Sequence, residues 1–257
     1  MRVRVVAVIP ARMGSSRFPG KPLLPVRGLP MVEHVRRRAV LCEAFSEVVV
    51  ATCDREIAEA IASHGGRYLM TSPAHLAATD RVCEAMQQLD ATHVVNVQGD
   101  ELLVLPEDLR RMVEAMQQEP QAPAWNAVAS IEHEGELADH SIVKCSLTQG
   151  GRFLFCAREM RAMAEGLKPP YEPLRKVLGI IGYTREFLES YGRLRRTPLE
   201  LATSIDQLRI LEQDVPLRAV EFHRGYPGIN EPRDVELVET CLHGDAAQQR
   251  ILGEVLA

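Results

Sequence analysis

Apolar positions fall into short unbroken runs along the first half of the chain. Val3 to Ile9 is a β-branched run that stops at Pro10, and such a run suits a strand buried on both faces. Glu47 to Thr52 and Thr92 to Val97 have the same character. Between these runs the spacing becomes helical. From Pro30 to Ala44, residues Met31, Val35 and Ala39 share one face, which leaves Arg36, Arg37 and Arg38 largely outside. Asp54 to Gly66 reads as a helix with an acidic cap and a closing glycine pair. Pro106 to Gln118 reads as a helix with Pro first and acids in its first turn. Alternation of strand and helix predicts an α/β fold, a mostly parallel central sheet with helices on both faces.

The pattern changes near Trp125. Ala127–Glu132, Ile142–Thr148 and Gly151–Arg158 read as strands, the last two joined by a hairpin around Gly150 and Gly151. Gly166 to Lys176 is a proline-rich excursion, read as a mobile or interface loop. Val177–Thr184 is strand-like again. Arg185–Leu194 and Leu201–Gln213 read as amphipathic helices, Pro216–Phe222 as a late strand, and Glu231–Leu242 as a closing helix. No internal repeat or low-complexity tract interrupts this order.

Composition narrows the class. The chain has 257 residues, 46% of them hydrophobic and 25% charged, enough apolar material for a full core. A net charge of −5 gives no overall attraction to nucleic acid or to an anionic membrane. The six cysteines form no C-x-x-C pair and suggest no zinc site; scattered thiols fit a reducing compartment. No run approaches the ~20 apolar residues of a membrane span, and the first residues lack a signal-peptide pattern. The expected location is the cytoplasm.

One loop carries concentrated chemistry. Beyond the first strand, Arg12, Arg17 and Lys21 are separated by Gly14, Ser15, Ser16 and Gly20. Arginine matches phosphate oxygens with a planar fork, lysine adds a point charge, and a Gly/Ser turn offers free N–H groups. The loop fits neither G-x-x-x-x-G-K-[ST] nor G-x-G-x-x-G, so it is no P-loop and no dinucleotide fingerprint. A solvated basic loop is the alternative. Ligands of open α/β sheets bind beyond the carboxyl ends of strands, where this loop and Gln98-Gly99-Asp100-Glu101 both lie. Ser15 and Ser16 have no evident base partner, which argues against a covalent intermediate.

The stretch IPARMGSSRFPGKPL resembles the signature loop of sugar-activating nucleotidyltransferases, and most closely the 3-deoxy-manno-octulosonate cytidylyltransferases. GLPMVEHVRRRA, VVVATCDREIAEAIASHGG, VVNVQGDE, VLGIIGYTREFL, LATSIDQLRILE and INEPRDVELVE follow in that family's order. The resemblance implies a Rossmann-like nucleotidyltransferase fold in which CTP and a small acidic acceptor give a CMP-sugar and pyrophosphate, with Mg²⁺ as cofactor, for lipopolysaccharide biosynthesis. It implies that Arg12, Arg17, Lys21 and Asp100 serve catalysis. Pro10, Ala11, Arg12, Gly14, Ser15, Lys21, Thr79, Arg81 and Gln98 would bind nucleotide. Gln98, Ile181, Asp206 and Gln207 would bind acceptor, and Asp100 and Asn230 would ligate metal. Glu101 reads as a capping or supporting residue. It also implies one domain over 1–257: a nucleotide half (1–124), an acceptor and dimerisation part (125–230) that includes a smaller β-rich and helical insertion, and closing helices (231–257). A homodimer follows from the same analogy.

Departures from that pattern sharpen the question. Val177 stands where the family carries His, and Ile181 where it carries Tyr. Asn230 replaces the second metal carboxylate, so it ligates weakly, or Glu231 substitutes, or Asp100 acts with the phosphates alone. Loss of two polar contacts predicts a modified sugar acid, a nonulosonate or a phosphonate as acceptor. The other readings are a spore-coat or acylneuraminate type of transferase and a catalytically impaired nucleotide-binding homologue.

Overall fold

Three apolar runs lie side by side and point the same way. The computed structural model describes residues 3–14, 18–75 and 77–257. Strand β1 (Val5–Ala11) is buried along its whole length between β4 (Glu47–Thr52) and β6 (His93–Val97), and both pairings are parallel. β5 (Arg67–Met70) continues the sheet beyond β4. On the other side, β10 (Leu174–Thr184) runs antiparallel to β6 and to β7 (Ala124–Ala129), and β11 (Leu217–Glu221) lies parallel to β7. The order is β11-β7-β10-β6-β1-β4-β5. A small hairpin, β2 (Pro25–Val26) with β3 (Leu29–Pro30), stands apart. The hairpin of β8 (Lys144–Leu147) and β9 (Phe153–Ala157) extends from β10.

Helices cover both faces because β1 alternates. Val5, Ala7, Ile9 and Ala11 face one cluster and Val6 and Val8 the other. The first cluster takes α1 (Met31–Val40), α2 (Arg55–Ser63), α4 (Pro106–Gln118) and α9 (Asp234–Gly244), with α10 (Ala246–Leu256) packed nearby. The second takes α3 (Ala78–Met86), α6 (Arg185–Tyr191) and α8 (Gln207–Leu211). The short α5 (Glu134–Ala138) caps a satellite cluster with Tyr171 and Leu174, and α7 (Pro198–Thr203) leads into α8.

Three sequence expectations change. Arg36 and Arg38 are buried, because Arg36 clasps Glu33 with bonds of 2.6 and 2.7 Å and Arg38 donates to the Val104 carbonyl. The helix expected over 201–213 breaks at Ser204, whose φ is 55°, and becomes α7 and α8. Carbonyls of Thr203 and Ser204 are taken by Arg158, so tertiary bonds override the helical period there. Strand β1 also runs through Pro10, in register with Ala51, to end at Ala11.

The α7–α8 corner is held by a buried ion pair. Arg209 reaches Glu200 with bonds of 2.7 and 2.5 Å and lies over the Tyr191 ring, 4.6 Å from its centroid. Removing one member strands a buried charge. Glu200→Gln is expected to cost about 3–5 kcal/mol of stability in urea unfolding. A loss within experimental error would show that the corner is held by packing instead.

Candidate active site

The carboxyl ends of β1 and β6 lie against each other. A Cβ on Gly99 would meet the Pro10 carbonyl at 3.2 Å, so glycine lets the two ends close. From Ala11 the chain enters the basic loop. Arg12 is exposed and donates to the His75 carbonyl at 3.4 Å. The Met13 N–H donates to Asp54 Oδ2 at 2.7 Å. Asp54 sits at the cap position of α2, but its carboxylate holds this loop and not the helix. Gly20, at φ +75°, returns the chain with a bond from its N–H to the Met13 carbonyl and starts the turn Lys21–Leu23. That return delivers Lys21 to Asp100: Nζ to Oδ2 is 3.0 Å, and the side chains are only 13% and 21% exposed.

Beyond β6, each residue of Gln98–Glu101 has a distinct position. The Gln98 N–H donates to the Gly179 carbonyl at 2.9 Å, and the Gly179 N–H donates to Glu101 Oε1 at 2.6 Å. A Cβ at Gly179 would stand 2.7 Å from Glu101 Oε1 and 3.0 Å from Gln98 Oε1. Glycine there lets the two side chains cross β10. Burial pushes the Glu101 carboxyl up to about 7, Asp100 adds to the rise, and the Gly179 N–H and Lys21 pull it back.

These residues open into a cavity of about 870 Å³. Gln98 and Asp100 stand on its wall, as do Val177, Asp206, Gln207 and Asn230. The Asn230 segment lies on Asp100: the Ile229 N–H donates to the Asp100 carbonyl at 3.3 Å, and a Cβ at Gly228 would stand 2.9 Å from that oxygen. Asp234 accepts the N–H groups of Asn230 and Glu231 at 2.8 Å each, which sets the loop before α9. Burial raises the Asp206 carboxyl, and Thr79 donates to it at 3.4 Å. Gln207 donates to Asn126 at 2.8 Å from the floor.

Not every expected residue reaches this cavity. Ser15 and Arg17 lie outside the described residues. Among the described residues nothing stands within 4 Å of a Cβ built on Gly14. Arg81 is buried and turns to the Thr71 hydroxyl and the Ser72 carbonyl, so it shapes the loop that carries His75. Ile181 is buried between Asn96 and Asn126 in register and lines no part of the cavity. Sequence reasoning missed Asp54, Arg158 and Lys176. Both cations line the cavity, and Lys176 pairs with Glu136 at 2.5 Å. A partial signal existed: Lys144 is the one charged residue in the run Ile142–Thr148, which reads as a strand. Among the described residues no cluster of three or more His, Cys, Asp or Glu could hold a metal ion.

Comparison with known proteins gives the family. Residues 6–218 match the family model described as cytidylyltransferase. A 3-deoxy-manno-octulosonate cytidylyltransferase of Myxococcus xanthus is 40% identical over 93% of this chain and 96% of its own. An 8-amino-3,8-dideoxy-manno-octulosonate cytidylyltransferase of Shewanella halifaxensis is 33% identical over 95% of this chain and all of its own. A solved CMP:2-keto-3-deoxy-manno-octonic acid synthetase complexed with CTP superposes with a TM-score of 0.85 at 33% identity, covering 93% of this chain and 98% of that one. Basic loop, acidic partner and cavity at the strand ends thus stand in a chain that belongs to the cytidylyltransferase family of CTP-dependent nucleotidyltransferases.

Proposed function

We propose that this cytidylyltransferase joins CTP to a sugar acid of the 3-deoxy-octulosonate type, or a modified analogue, as a step in lipopolysaccharide biosynthesis. The observation that carries this reading is the placement of Gln98 and Asp100. They line one cavity together with Asp206 and Gln207, and Asp100 is paired at 3.0 Å with Lys21 of the basic loop. A triphosphate laid along the basic loop would meet Arg12 and Lys21, with Arg17 joining from the same loop. An acceptor against Gln98, Asp206 and Gln207 would point a hydroxyl at the α-phosphorus. Its oxygen forms the new bond as the bond to pyrophosphate breaks, and its proton leaves to solvent or base. Lys21 and Arg12 stabilise the charge gathering on the leaving group, help typically worth about 2.7–4 kcal/mol for one well-placed donor. Arg158 lines the cavity as a cation an acid could meet, whereas Lys176 is already paired with Glu136.

The donor set suits Mg²⁺. Asp100 supplies one carboxylate and Asn230 a neutral oxygen, and Mg²⁺ commonly takes one or two carboxylates with substrate phosphates. When bound, the ion would add positive charge at the phosphates. Asp100 would hold it, and its pairing with Lys21 fixes the carboxylate at the strand ends beforehand.

Three features support finer parts of this reading. Val177 puts an apolar surface on the cavity wall, which favours an acceptor altered at the carbon it meets. Leu154 and Phe155 are 62% and 42% exposed on the edge strand β9, and a second copy of the chain would cover them as a homodimer. Six free thiols support a reducing compartment such as the cytoplasm. Among the described residues no helix is long and apolar enough to cross a membrane.

Pyrophosphate release with CTP, Mg²⁺ and either 3-deoxy-octulosonate or its 8-amino analogue tests the activity. Saturable turnover with at least one is expected; CTP binding with no turnover on any sugar acid would favour the impaired-homologue reading, for which Asn230 speaks. Asn230→Asp is expected to lower the Mg²⁺ concentration for half-maximal rate roughly tenfold, because ligand charge tunes affinity. An unchanged metal requirement would remove Asn230 from the metal site. Sedimentation should show a dimer that Leu154→Glu dissociates, and a native monomer would refute the proposed interface.

A further inference from the structure

The acceptor side of the cavity is organised round a lysine that does not line it. Lys144 opens β8, and its side chain is fully buried. In the sheet it lies between Ala157 and Lys176. Like charges set directly opposite on neighbouring strands repel, and the two lysines diverge. Lys176 turns to Glu136, whereas Lys144 turns to the backbone. Its ammonium donates to the carbonyls of Asp139 at 2.7 Å, Ile142 at 2.9 Å and Arg158. Among the described residues it makes no ion pair with a carboxylate. An ammonium has three donors, and three carbonyls converge on it. Burying a charge is costly unless such bonds satisfy it.

Those carbonyls come from three separate places: the end of α5, the loop before β8 and the residue after β9. Asp139, Ser141, Ile142 and Val143 form one wall of the cavity, and Arg158 lines it too. Arg158 then reaches across. It donates to the carbonyls of His140 at 2.8 Å, Thr203 at 3.1 Å and Ser204 at 3.2 Å. Ser204, in the left-handed region, directly precedes Ile205, Asp206 and Gln207 on the other wall. The order of support runs from Lys144 to the 139–142 loop and the Arg158 backbone, then through the Arg158 guanidinium to the Asp206 segment.

We propose that Lys144 is a positioning residue for the acceptor: it fixes the two walls that receive the sugar acid without touching it. The inference rests on the reading of this cavity as the acceptor site. Three carbonyl dipoles aimed at one point need a cation there, since a neutral side chain would leave them facing one another unpaired. Without the ammonium the loop would relax, and Arg158 and the 203–207 segment would move with it. The nucleotide end, built on β1 and β6, would stay in place.

The test compares the native chain with Lys144→Met and Lys144→Arg. Expected for Lys144→Met is a rise of roughly tenfold or more in the acceptor KM, with the CTP KM and kcat within about twofold of native. Lys144→Arg should restore only part of the acceptor affinity, because a bulkier planar guanidinium spreads its donors whereas these three carbonyls converge on one small ammonium. Hydrogen exchange followed by mass spectrometry gives a readout that needs no acceptor. Faster exchange is expected over 139–143 and 203–207, with β1, β4 and β6 unchanged. Equal rises in the KM of both substrates, or unchanged exchange at 139–143, would overturn the proposal. If Lys144→Met does not fold, Lys144→Gln and the same exchange comparison decide it. Should the native chain turn over no sugar acid, the acceptor reading fails, while the exchange pattern still judges the positioning role.

Discussion

One ion pair sets the terms for the site. Lys21 and Asp100 lie 79 residues apart, on loops that follow adjacent parallel strands, and meet at 3.0 Å in largely screened surroundings. Each would be poorly placed without the other. A lysine so screened needs a counter-charge, and a carboxylate beside Glu101 needs relief from its neighbour. The pair holds both groups at the strand ends before any substrate arrives. In the proposed reading phosphate oxygens would compete for the ammonium and leave the carboxylate available to a hard cation. Everything nearby is arranged to keep that pair in register: Gly20 turns the chain back, Asp54 holds the Met13 N–H, and Gly99 lets β6 close on Pro10.

The acceptor side depends on a different economy of polar groups. Gly179 admits two side chains over β10, and Glu101 anchors to its N–H. Buried cations, Lys144 above all, are satisfied by backbone carbonyls and thereby stiffen the cavity wall. The arrangement divides the labour of the protein. In the proposed reading the strand ends of the parallel half would grip nucleotide, and the hairpin and α7–α8 corner would shape what can be joined to it. That division lets an acceptor change through residues such as Val177 without disturbing the phosphate end.

Much of the fold was legible because its signals are local. Continuous β-branched runs announced β1, β4 and β6, and proline with first-turn acids announced α4. The basic loop and Asp100 were legible for the same reason: charge clustered beyond buried strands has few structural uses. What failed to show was tertiary. Arg38 reads as a surface residue on a helical wheel, and only packing of α1 against the chain around Val104 buries it. The break at Ser204 runs against a good helical period, because Arg158 takes the carbonyls there. Ile181 occupies a motif that suggests acceptor contact, yet it lies between Asn96 and Asn126 inside the sheet and packs into the second core cluster. Asp54 has the sequence of a helix cap but spends its carboxylate on another loop.

The central claim is that Asp100 opposes phosphate by its charge and favours it only through a cation. Calorimetric titration of CTP into native protein and Asp100→Asn, each with and without Mg²⁺, tests this directly. The account predicts a crossover: without Mg²⁺ the variant binds CTP more tightly than native, and with Mg²⁺ it binds more weakly. Equal affinities of the two proteins under both conditions would contradict it.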